Sequence, residues 1–120
     1  MKTKYQTISI NKPTATPNGR YTDSQELDSD WDYCDGVQVI ESTDGGIPFY
    51  SVGLEDKTQT YHNITHKRDW MSGNDTPINQ RYKDIYIPVV RGEKLDIKTE
   101  FPAVLISDIN YQIIFRLRKK

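Results

Sequence analysis

The sequence predicts an all-β chain: a single antiparallel β-sandwich domain over residues 1–120, jelly-roll-like or Greek-key, with about seven or eight short strands. Three observations lead there. Apolar and polar residues alternate with a period of two along much of the chain. Clusters of Gly, Pro, Asn and Asp interrupt that alternation at short intervals, and no amphipathic helical pattern of useful length occurs. The composition agrees, because 120 residues hold one core, and 35% apolar against 28% charged residues make that core thin. Two layers suit a thin core, since each strand then needs only every second residue to be apolar.

The elements follow in order. Lys4 to Ile10 predicts a first strand, with Ile8 and Ile10 on one face and Tyr5, Thr7 and Ser9 on the other; the Pro- and Asn-rich stretch up to Gly19 ends it. Arg20 to Leu27 reads as a short polar strand. Tyr33 to Glu41 is a stronger one, with Val37 and Val39 sharing a face and Gln38 and Ile40 on the reverse. Ser42-Thr43-Asp44-Gly45-Gly46 then reads as a hairpin loop returning through Phe49 to Leu54, because Asp-Gly and Gly-Gly accept positive φ without strain.

Glu55 to Gln80 is the least regular part, and a long irregular connection marks a projecting or partner-binding loop. Within it Thr58 to Tyr61 reads as extended, Thr65 to Met71 as one helical turn capped by Thr65, and Ser72 to Pro77 as a loop. Tyr82 to Val90 predicts a strand with Ile85, Ile87 and Val89 inward, turned by Arg91-Gly92-Glu93 into Lys94 to Glu100 with Leu95 and Ile97 inward. After a short apolar piece, Val104-Leu105-Ile106, and a Ser107-Asp108 turn, Tyr111, Ile113, Phe115 and Leu117 give the most regular strand pattern in the chain.

Charge narrows the function classes. A net charge of −1 argues against a dedicated nucleic-acid binder. Tyr21 to Asp56 carries ten carboxylates and no Lys or Arg, whereas the chain ends Arg116-Leu117-Arg118-Lys119-Lys120. Zones of opposite sign on one small domain steer subunit contacts, and solvated surface is the plainer reading of both. No apolar run reaches bilayer length, no signal region precedes the first strand, and one cysteine, Cys34, excludes an intrachain disulfide. The expectation is a cytoplasmically made protein with no membrane partner.

No motif commits to a reaction or a cofactor. His62 and His66 at i and i+4 would share a helix face with Asp69 nearby; on a strand they would stand about 13 Å apart, too far for one ion. Asp28, Asp30 and Asp32 alternate as in the opening of a calcium loop, but Tyr33 and Val39 occupy the positions that need glycine and a bidentate glutamate. Asn63-Ile64-Thr65 fits a glycosylation sequon. Cys34, flanked by Asp35, is a poor thiolate. Trp31, Trp70 and Tyr61, beside these carboxylates, suit a sugar-stacking platform and equally a protein interface. The candidate contact residues are therefore Trp31, Trp70, Tyr61, Asp28, Asp30, Asp32, Arg116, Arg118, Lys119 and Lys120.

The layout resembles small β-sandwich structural proteins of bacteriophage particles. The residues concerned are the polar start, Cys34-Asp35-Gly36-Val37-Gln38-Val39, the strand Arg81 to Val89 with its Gly92 turn, and the closing strand Tyr111 to Leu117. The resemblance spans most of the chain and carries over no functional residue, because that style of protein defines none. It implies a homo-oligomeric, non-enzymatic virion component, such as a capsid decoration or a head- or fibre-associated protein, assembled in the host cytoplasm. A carbohydrate- or surface-binding module is the alternative.

Overall fold

The computed structural model describes residues 2–47, 49–70 and 82–120. Eight strands run β1 Thr3–Lys12, β2 Gly19–Gln25, β3 Tyr33–Asp44, β4 Ser51–Glu55, β5 Thr60–His66, β6 Ile87–Pro88, β7 Leu95–Phe101 and β8 Ile109–Arg118, with one 3-10 turn at Lys67–Asp69. They form two four-stranded antiparallel sheets, ordered β1-β8-β3-β6 (sheet A) and β2-β7-β4-β5 (sheet B). The first strand pairs with the last, the second with the seventh, the third with the sixth and the fourth with the fifth. That nested pairing is the jelly roll, and it decides between the two connectivities that sequence pattern left open.

Alternation built the core as expected. On β8 the residues Ile109, Tyr111, Ile113, Phe115 and Leu117 are buried while their neighbours face out. Sheet B answers with Val52, Leu54, Leu95, Ile97 and Phe101. Two bulges in β3 re-aim single side chains. At Asp35 the ladder skips one residue, so Cys34 and Val37 both point inward and the Asp35 carboxylate is free to reach across the outer face. At Ser42 a second skip turns Glu41 inward opposite Tyr111, where its Oε2 accepts from the Tyr50 hydroxyl at 2.7 Å and from Lys67 Nζ at 2.8 Å.

Three expectations are corrected. Ser42–Gly46 does not close a hairpin. Gly45 and Gly46 do adopt positive φ (73° and 71°), but the turn carries the chain to the other sheet because β8 and β6 already occupy both edges of β3. The consecutive pair is instead β4–β5, closed by Asp56, whose Oδ1 accepts from the Thr58 and Gln59 amides at 2.8 and 2.9 Å. The strand expected from Tyr82 to Val90 shrinks to Ile87–Pro88 plus one bridge between Val37 and Lys83. Ile85 and Ile87 are buried as the pattern required, but Pro88 has no N–H to extend the ladder. The helical turn is capped by His66, whose Nδ1 accepts from the Arg68 amide, and Thr65 belongs to β5. Met71 and the Ser72–Pro77 loop lie outside the described residues.

The β1 edge is closed by its own inward-pointing polar side chains. Lys4 pairs with Asp28, Gln6 Nε2 donates to the Glu26 carbonyl at 3.2 Å, and Lys12 pairs with Asp23 at 3.2 Å. Inward-pointing charges are an established way to keep an edge strand from templating aggregation. No described helix is long and apolar enough to cross a membrane.

Candidate binding surface

The two outer faces differ in chemistry. Sheet B presents a lattice of paired charges and hydroxyls: Arg20 with Glu100 at 3.5 Å, Lys98 with Glu55 at 3.3 Å, and Ser24 donating to Asp96 at 2.6 Å. Such exposed pairs are well solvated and contribute little.

Sheet A presents tyrosine and arginine. The register places Tyr5 on β1 beside Arg116 on β8, and Arg116 beside Gly36 on β3. Gly36 lies beneath the Arg116 guanidinium, where a Cβ would sit 2.9 Å from a guanidinium nitrogen, so only glycine lets the arginine lie flat across the strand. Tyr82 covers this arrangement, its ring 5.8 Å from Tyr5 and 5.1 Å from the Arg116 guanidinium carbon. The bulged Asp35 accepts from Arg116 Nε at 2.6 Å and from Arg118 Nε at 2.9 Å. Burial pushes the Asp35 carboxyl up, but hydrogen bonds and charge from the two arginines outweigh it and hold it below the ordinary range. At the same end Tyr33 stacks on Tyr86, centroids 5.5 Å apart. Tyr5 and Tyr86 are 56% and 60% exposed.

The result is a pre-ordered platform of four tyrosines and two arginines whose charge is partly neutralised from within. Tyrosine and arginine bring large contact area and directional donors at small entropic cost, which is why they concentrate in binding surfaces. The signal for it was legible: Tyr5 stands at an outward position of β1, where a solvated strand would carry Thr or Lys. The partner contacts were not, because residues 33, 82, 86 and 116 meet only through non-local pairing.

The sequence candidates fare unevenly. Arg116 and Arg118 belong to the platform. Trp70 does not reach the surface: it is 2% exposed, its Nε1 donates to the Val52 carbonyl at 2.9 Å, and His62 packs on it at 4.2 Å. Its place as a surface contact is thereby corrected. Trp31 is half-buried against the core with Lys119 Nζ 5.8 Å above its ring. Tyr61 is half-buried too, and its hydroxyl donates to Asp56.

Asp28, Asp30 and Asp32 do not converge. Asp28 pairs with Lys4 and accepts from the Asp30 amide, whereas Asp32 accepts from the Lys120 amide at 2.6 Å. Among the described residues no group of three His, Cys, Asp or Glu is placed to hold a metal ion. His62 lies 3.4 Å from Asp69, while His66 stacks on Phe49 at 4.9 Å. The acidic stretch and the basic tail do complement each other, but within one chain, through Asp35 with Arg116 and Arg118 and through Asp32 with Lys120. Burial pushes the Cys34 thiol up to about 11, with the Asp35 charge adding to it.

Comparison with protein-family models, with curated proteins and with solved structures finds no match to this chain. The likeness to phage particle proteins therefore rests on the sequence itself.

Proposed function

We propose that this chain is a non-enzymatic structural subunit of an oligomeric assembly, a bacteriophage virion protein of the capsid-decoration, head- or fibre-associated kind. The observation that carries the reading is the tyrosine–arginine platform on the outer face of sheet A, ordered in the free chain and ready to be covered. The jelly roll supports it by analogy, since eight-stranded rolls recur in viral capsid domains. The test is light scattering of the wild-type protein against a Tyr5→Ser/Tyr86→Ser variant. Covering the exposed half of each ring represents roughly 1–1.5 kcal/mol, so the double variant should self-associate about 30- to 150-fold more weakly. A wild-type protein that stays monomeric at tens of micromolar, alone and with purified capsid, would sink the reading.

A carbohydrate-binding role is favoured by one specific feature: the exposed Tyr86 ring, paired with Tyr33 at the same end of the face as Asp35 and Arg118. A glycan array with and without calcium reads this directly. Binding lost in Tyr86→Ser supports it, and an array blank in both conditions removes it.

A further inference from the structure

We propose that copies of this chain join head to tail, an apolar tip at one end of the sandwich seating in a cleft at the other end of a second copy. Because every pairing is antiparallel, the connections collect at two opposite ends. At one end residues 13–18, 45–47 and 102–108 are knitted together. Ala15 N donates to the Leu105 carbonyl at 3.0 Å, Leu105 N to Thr16 O at 3.1 Å, and the Ile106 and Ser107 amides both donate to Gly45 O. Asp108 Oδ1 accepts from the amide and hydroxyl of Thr14 at 2.7 and 2.8 Å. Leu105 is buried and anchors the loop, while its neighbours Val104 and Ile106 are 51% and 73% exposed. Ala15 is held at φ 71°, a strained conformation for a residue with a side chain. Two large aliphatic side chains are thus held out in water on a rigid support, which lowers the ordering cost of docking.

The opposite end offers the counterpart. A cleft of about 350 Å³ opens between 56–57 and 92–94. It adjoins a notch lined by Leu27, Tyr61, Leu95 and the 47%-exposed Val90. Lys57, Arg91 and Lys94 are exposed around it and make no ion pair among the described residues. Of the nearby acids, Asp56 is occupied by its own turn and Tyr61, leaving Glu93. The three knitted loops contain no Lys or Arg, and Asp108 flanks the tip with Asp44 immediately before Gly45. The two ends are therefore complementary in sign, which steers one copy onto the next, whereas acids at the tip disfavour an anionic lipid surface. Joining different patches makes a heterologous contact, which yields rings or filaments.

The inference shares with the assembly reading only the claim of self-association, and uses none of the platform residues. Sedimentation velocity in the Tyr5→Ser/Tyr86→Ser background isolates it. That background should still self-associate with concentration. Adding Ile106→Asp or Val90→Asp should weaken this at least tenfold, with Trp70 emission unchanged to show an intact fold. An equimolar mixture of the two should form dimers and nothing larger, because one intact junction remains. A monomeric background beside an oligomeric wild type overturns the end-to-end contact and leaves the platform reading standing. A mixture that forms no dimer overturns it as well. A monomeric wild type removes both.

Discussion

Gly53 is the position where the geometry makes its sharpest demand. Pairing between β4 and β5 jumps from Val52↔Thr65 to Leu54↔His62, so two residues of β5 stand against Gly53 alone. A Cβ built there lies 2.7 Å from Ile64 Cγ1, 3.0 Å from Ile64 N and 3.1 Å from Ile64 Cα. The first contact involves a side chain that can turn away; the other two are backbone and cannot retreat without breaking the ladder. Overpacking of this kind costs about 1–3 kcal/mol, while replacing glycine by alanine returns about 0.5–1 kcal/mol of chain entropy. Gly53→Ala should therefore destabilise by about 1–2 kcal/mol. For 120 residues the unfolding entropy is about 0.25 kcal/mol/K, so Tm should fall by about 4–8 °C. Scanning calorimetry with a matching urea midpoint reads this. Ile64→Ala in the same chain should recover only part of the loss, since it removes the Cγ1 contact and leaves both backbone contacts. An unchanged or higher Tm for Gly53→Ala would refute the packing argument, and full recovery in the double variant would place the strain in the side chain.

Three further outcomes are expected. The Tyr61 hydroxyl and the turn amides hold the Asp56 carboxyl at about 2 against the opposing effect of burial. A depressed carboxylate stabilises above its ordinary value of about 3.9 and loses that contribution as pH falls to about 2. Asp56→Asn should accordingly flatten the acid limb of Tm against pH in that window, and an unaltered limb would contradict the assignment. Cys34 is fully buried with its thiol pushed up to about 11, so a neutral-pH disulfide reagent should label it only at the rate of global unfolding; rapid labelling of native protein would show that β3 opens locally. With Trp31→Phe, the remaining Trp70 should give blue-shifted emission shielded from iodide, as its burial and its bond to Val52 require.

Local chemistry alone determined the β class, the inward faces of β1, β3, β7 and β8, and the turn propensity at Gly45-Gly46 and Gly92, because strand alternation and positive φ are properties of neighbouring residues. The same locality explains what it could not determine. A turn that accepts positive φ at Gly45 and Gly46 says nothing of whether the next strand returns to the same sheet; that was decided by β8 occupying the edge of β3 where β4 was expected. Trp70 read as a loop aromatic because its burial depends on β4 and β5, and the basic end read as a docking patch because its partner, Asp35, stands some eighty residues upstream. The tyrosine–arginine platform likewise exists only once β1, β3 and β8 lie side by side, with the bulge at Asp35 aiming one carboxylate between two guanidiniums. Jelly-roll order, the choice of which aromatics face water, and the neutralisation of the two charge zones all rest on contacts distant in sequence, and only the tertiary structure sets those.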